Sequence, residues 1–160
     1  MTGKELVLAT FVHKETPAVP WVPFAGVHAG KLIGVAADAL YQDGEKLIRA
    51  LREAHRLYHP DGMPIMFDLQ LEAEILGCDL LWSGDAPPTV TSHPLEANPA
   101  VPERLPEAGD GRLPIALDAT KAMAAEVGDQ TALYGLFCGP FTLVSHLRGT
   151  NIFMDMFDDP

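Results

Sequence analysis

Three short apolar runs, 21–27 (WVPFAGV), 63–69 (MPIMFDL) and 131–137 (TALYGLF), carry hydrophobic residues at both odd and even positions. Each therefore reads as a strand buried on both faces, the pattern of a parallel sheet. Parallel strands need a crossover of about a dozen residues or more, most often a helix. The sequence between the runs supplies it. Asp43 can cap a helix over 45–58, in which Leu47, Ile48, Leu51, Ala54 and Tyr58 recur at helical spacing, while Arg49, Arg52 and Arg56 take the solvated side. Pro60, Asp61 and Gly62 end it.

Other elements follow from caps and breakers. Thr2 with Glu5 forms a capping box for a first helix that carries Leu6, Val7 and Phe11 and ends near His13. A short helix over 70–76 closes at Gly77, and Asp118 can start another in which Ala119, Met123 and Val127 face inward until Gly128 and Asp129 stop it. A last helix is expected over 142–147, beyond Gly139 and Pro140. Residues 84–114 hold seven prolines among glycines and charges, so they read as a loop or edge hairpin, an excursion of the kind that often serves function. The alternation predicts an α/β fold with parallel strands, satisfied by a doubly wound sheet or by a barrel. Three strands finish neither, since a (β/α)8 barrel takes about 250 residues and a short open sheet leaves unpaired edges. The expectation is thus a truncated domain, with Asp158, Asp159 and Pro160 read as the cap and first residue of a further helix.

Charge and composition narrow the partners. A formal charge of −11 argues against nucleic acid or an anionic membrane, both of which need a basic face. Cys78 and Cys138 stand in apolar surroundings without a C-x-x-C spacing, so they predict neither a disulfide framework nor a zinc site. No signal-peptide pattern opens the chain, and no apolar run approaches the roughly 20 residues of a membrane span. A cytoplasmic protein is expected.

The segments GMPIMFDLQLEAEILGCDL (62–80) and LFCGPFTLVSHLRG (136–149) resemble the two signature regions of the uroporphyrinogen decarboxylase superfamily, and the opening MTGKELVLATFVHKETPAVPWVPF is similar to that family's N-terminus. The resemblance implies the N-terminal portion of a (β/α)8 TIM-type barrel, with about three parallel strands and flanking helices. It treats 1–160 as a single domain and 84–114 as an excursion within it. The superfamily has two branches: a lyase that decarboxylates the acetate groups of a tetrapyrrole in porphyrin synthesis, and methyltransferases that move a methyl group from a methyl-corrinoid to a thiol. FDLQLEAEILGC and CGPFTL look more like the second, which implies a corrinoid or corrinoid protein as ligand. It also implies zinc held by a histidine and two cysteines in the C-terminal half, with no metal ligand and no cofactor bound by this chain alone. A reading from another class is a non-catalytic half-barrel that associates with copies of itself through its exposed edges.

The resemblance also nominates residues. Asp68 matches an aspartate that faces the pyrrole nitrogens, and barrel chemistry gathers at the C-terminal ends of strands; the same carboxylate could instead cap 70–76. His146 stands where the decarboxylase has a substrate-reaching tyrosine and could act as an acid near neutral pH or simply be a hydrogen-bonded helix histidine. The decarboxylase's R-Q-A-G-R segment is here Val27, His28, Ala29, Gly30 and Lys31. His28 and Lys31 could bind an anion, but a lysine offers a point charge where that family uses a guanidinium fork. Glu72 is a candidate pocket residue that points away from Glu74, and Gly139 and Phe141 could admit and stack on a flat ligand.

Overall fold

A computed structural model describes residues 1–158. Its elements run, in order, α1 (Gly3–Phe11), α2 (Val27–Leu32), α3 (Ala37–Tyr41), α4 (Gly44–Tyr58), β1 (Gly62–Pro64), α5 (Leu71–Ile75), β2 (Leu80–Leu81), β3 (Thr89–Val90), α6 (Leu113–Val127), β4 (Ala132–Tyr134), α7 (Pro140–Arg148) and α8 (Asn151–Asp158). The protein is α/β. β1 and β4 pair in parallel with Met63 opposite Leu133, and β2 and β3 form a separate antiparallel ladder with Leu80 opposite Val90.

Local chemistry sets many of the boundaries. The Thr2 hydroxyl accepts from the Glu5 amide and the Glu5 carboxylate accepts from the Thr2 amide, so both orphan donors at the start of α1 are satisfied. Asp43 accepts from the amides of Glu45 and Lys46 at the start of α4, and His59 ends that helix in the left-handed region at φ 46°.

Several expected elements are corrected. Residues 21–27 form no strand: Trp21 exchanges hydrogen bonds with Asp61, its carbonyl accepting from the Asp61 amide at 2.9 Å and its own amide donating to Asp61 Oδ2 at 2.8 Å. The ladder stops there because Pro20 and Pro23 have no amide hydrogen and Gly26, at φ 48°, turns the chain into α2. The second and third runs are strands over only part of the expected lengths. α6 starts at Leu113 rather than Asp118, because Pro114 sits in its first turn, where a missing amide hydrogen costs nothing. The excursion supplies β3, the edge-hairpin half of its expectation. Asp158 is the last residue of α8 instead of a cap, and Asp159 and Pro160 lie outside the described residues.

The main core joins α2, α3, α4 and α6 to β1 through Ala29, Leu40, Tyr41, Leu47, Ala50, Leu51, Met63, Ala119 and Met123. Met63 is 2% exposed, a burial that stabilises by about 1.5–3 kcal/mol. Gly30 permits the tight α2–α3 turn, since a Cβ there would lie 2.7 Å from the Val35 carbonyl oxygen. A smaller cluster of Ala73, Cys78 and Leu147 ties α5 to α7. The excursion docks on it: the Leu95 amide donates to the Leu147 carbonyl, and Arg148 Nη1 donates to the Leu95 carbonyl at 2.7 Å. Among the described residues no helix is long and apolar enough to cross a membrane.

Candidate functional site at the strand ends

Because β1 and β4 are parallel, the residues that follow them leave the sheet at the same edge. Phe24, Phe67 and Tyr134, one from each apolar run, meet there, with Phe24 packing edge-on against Phe67 at 5.4 Å and Tyr134 at 6.3 Å between ring centroids. The three runs thus converge, even though the first contributes no ladder. Such T-shaped contacts add about 0.5–1.5 kcal/mol to the burial of the rings.

Asp68 follows Phe67 and is 1% exposed. Both of its oxygens are engaged: Oδ1 accepts from the Gln70 amide at 2.9 Å, and Oδ2 accepts from Arg112 Nη1 at 2.5 Å. The same guanidinium donates through Nε to Glu74 Oε2 at 2.8 Å and lies over the Trp82 ring at 4.7 Å from its centroid. Arg112 is itself only 8% exposed. Removing one partner from a buried pair of this kind costs about 3–5 kcal/mol, because a desolvated charge is left behind. Tyr41 also lies within the field of this cluster; burial first, and then the Asp68 charge, push its phenol up, while Arg112 opposes them. The Tyr41 hydroxyl and Arg112 Nη2 are buried with no partner in the protein.

The other nominated residues spread over three places. His28, in the first turn of α2, shares a 2.7 Å hydrogen bond between Nε2 and the Tyr58 hydroxyl, at a groove of about 210 Å³ that Trp21, Pro23 and Phe24 also line. Lys31 is exposed on the last turn of the same helix. Glu72 lines a small apolar cavity of about 90 Å³ with Met66, Leu113 and Leu136, and its Oε2 is buried without a partner. Glu74 instead faces Arg112, so the two glutamates diverge as their spacing predicts. Burial, reinforced by the Glu72 charge, holds the Cys138 thiol up. Gly139 caps α7 in open space, and Phe141 is half exposed against Phe153.

His146, on α7, belongs to a different environment. Its Nε2 is buried and unpartnered, and burial followed by the nearby His93 lowers its pKa, which favours the neutral ring. Its backbone carbonyl accepts from Cys78 Sγ at 3.4 Å and from His93 Nδ1 at 2.7 Å. Cys78 is a closed site too: burial, then Asp79, push its thiol up to about 11. No group of three or more His, Cys, Asp or Glu side chains placed to hold a metal ion occurs among the described residues.

Arg112, Tyr41, Trp82 and His93 went unnoticed in the sequence. Arg112 stands in GRLP at the end of a proline-rich stretch, 44 positions from Asp68, and no spacing rule links the two.

Comparison with known proteins places these features in a family. The model of the family described as uroporphyrinogen decarboxylase (URO-D) matches residues 2–160. The methylcobamide:CoM methyltransferase MtbA of Methanosarcina acetivorans is 28% identical over 145 residues, covering 88% of this chain and 42% of that protein. A methylated-thiol–coenzyme M methyltransferase of Methanosarcina mazei is 36% identical over 86 residues, covering 52% of this chain and 23% of its own length. A solved methyltransferase from Methanosarcina mazei superposes with a TM-score of 0.82 at 26% identity, over 97% of this chain and 48% of that one. The chain spans less than half the length of these relatives.

Proposed function

The chain belongs to the uroporphyrinogen decarboxylase (URO-D) family, and on that premise we propose that it forms the N-terminal part of a (β/α)8-barrel methyltransferase that moves a methyl group from a methyl-corrinoid to a thiol. The observation that carries this reading is the agreement of the sequence relatives with the solved relative, all of them methyltransferases. The lysine at position 31 supports it, because it stands in the segment where the decarboxylase branch it resembles carries arginine, and a point charge does not replace a bidentate guanidinium.

In the proposed reaction the thiolate sulfur attacks the methyl carbon, the carbon–sulfur bond forms, and the carbon–cobalt bond breaks with its electron pair left on the corrinoid. The residues here do not fit zinc, so no step through that metal is assigned to this chain. What the chain contributes is a wall of the site: the Phe24–Phe67–Tyr134 cluster offers an apolar surface for a flat macrocycle, with Asp68 as the fixed charge behind it. His28 borders the same apolar surface beside Phe24, while Glu72, Gly139, Phe141 and the neutral imidazole of His146 lie apart from it and are proposed as further contacts of the complete site. The partner is a corrinoid or a corrinoid-carrying protein.

The test is a visible-spectrum titration with methylcobalamin, followed by a methyl-transfer assay with coenzyme M once the chain is joined to a C-terminal half from a matched relative. A saturable change in the corrinoid band and thioether formation are expected. Decarboxylation of uroporphyrinogen by the joined protein, without methyl transfer, would overturn the reading in favour of the lyase branch.

A further inference from the structure

Asp68 can work as a fixed charge only if something holds it, and the candidates are few. Its side chain has no exposed surface and no water-facing edge, so orientation comes entirely from protein donors. The Gln70 amide is a local turn contact two residues away. The remaining donor is Arg112, which arrives from the far end of the proline-rich excursion and whose guanidinium is fixed on three sides at once: Asp68 at 2.5 Å, Glu74 at 2.8 Å and the face of Trp82. A guanidinium is planar and rigid, so holding Nε on Glu74 and the face on Trp82 fixes the direction in which Nη1 donates to the single Asp68 oxygen that it meets. The fork also closes a mechanical link. Arg112 is the residue immediately before α6, and Trp82 follows β2 just ahead of the excursion, so the two ends of that stretch converge on one buried charge in the segment that follows β1.

We infer that Arg112 is the positioning residue of this site: it sets the orientation of the Asp68 carboxylate and anchors the 84–114 excursion beyond β1 through the Asp68–Arg112–Glu74 cluster. The inference rests on the proposal above that Asp68 is a working group. Arg112 acts through Asp68, and its removal frees the carboxylate to rotate instead of deleting a contact with substrate.

The Gln70 amide reports this directly, because it donates to the other oxygen of the same carboxylate. In ¹⁵N-labelled 160-residue chain, R112Q is expected to move the Gln70 amide resonance and remove its exchange protection, while core amides such as that of Leu51 stay in place. E74Q, which leaves the Asp68 contact intact, should move Gln70 far less. R112K keeps the charge without the fork and should restore the signal only in part. In methylcobalamin titrations R112Q should weaken binding on the order of ten-fold, the scale of one charged hydrogen bond, and should add nothing in a D68N background. An unchanged Gln70 amide in a folded R112Q chain overturns the inference, and so do effects of R112Q and D68N that simply multiply. If R112Q fails to fold, R112K carries the same amide test. A wild-type chain that leaves the methylcobalamin spectrum untouched counts against the methyltransferase reading, and the Gln70 amide then decides the role of Arg112 by itself.

Discussion

The two flanks of β4 make opposite use of apolar residues. On one, Leu133 and the adjoining β1 residue Met63 pack toward α4 and α6, where Leu47, Ala50, Leu51 and Met123 are almost wholly buried. On the other, Ala132, Leu133 and Tyr134 border a groove of about 500 Å³ together with Val7, Leu8, Phe11, Pro20, Val22 and Phe24. Leu8, Phe11 and Phe24 are 52%, 74% and 61% exposed along that groove. The same kinds of side chain thus stabilise one flank and leave the other as apolar surface of the sort that marks an interaction site. The helix-backed flank forms a closed core, and the groove flank stays an open apolar surface.

The largest effect expected from this contrast is in the closed core. Met63→Ala should destabilise by about 2–5 kcal/mol in urea titration, the cost of a lost buried side chain plus its cavity. A loss below about 1 kcal/mol would show that the core is loosely packed and break the distinction between the flanks.

Acidification should act next. His55, whose Nε2 meets the Thr131 hydroxyl at 2.9 Å, and His146 both have lowered pKa values, chiefly from burial. The unfolded chain therefore binds more protons than the folded one as the pH drops below the ordinary histidine value of about 6.5, and stability falls across that window until the lowered folded values are passed. Chemical denaturation at pH 7.5 and pH 5.5 measures it. His146→Gln should flatten the response, and an unchanged slope would place His146 in solvent.

The smallest change in stability is expected in the groove. Phe11→Ser should alter the urea midpoint by less than about 0.5 kcal/mol, as surface substitutions do. It should also reduce any association between copies in sedimentation velocity, because an open strand edge and exposed aromatics favour pairing. A strongly destabilised Phe11→Ser chain would mean that the groove is part of the folded core after all.

Several expectations drawn from short-range chemistry hold in the structure. The Thr2–Glu5 box, the Asp43 cap, the inward stripe of α4 and the divergence of Glu72 from Glu74 all follow from neighbours within four positions. The misses come from local signals that compete with one another. Residues 21–27 are as apolar as a strand, yet prolines at 20 and 23 remove the donors that a ladder needs, so hydrophobicity outweighed hydrogen-bond accounting in that expectation. α2, α3 and α8 are short helices outside the strand–helix alternation. α6 begins earlier than Asp118 because a proline that breaks a helix interior is harmless in a first turn.

By itself the sequence determined an acidic α/β chain and its best-capped helices, because periodicity, caps and breakers act locally. The tertiary structure decided what Asp68 meets. Its guanidinium partner lies 44 residues away beyond a proline-rich loop, and a buried carboxylate must find a donor wherever the fold brings one. Only packing could likewise decide which apolar residues would be enclosed, since Met63 and Phe11 are equally hydrophobic in sequence and differ only in whether another element covers them.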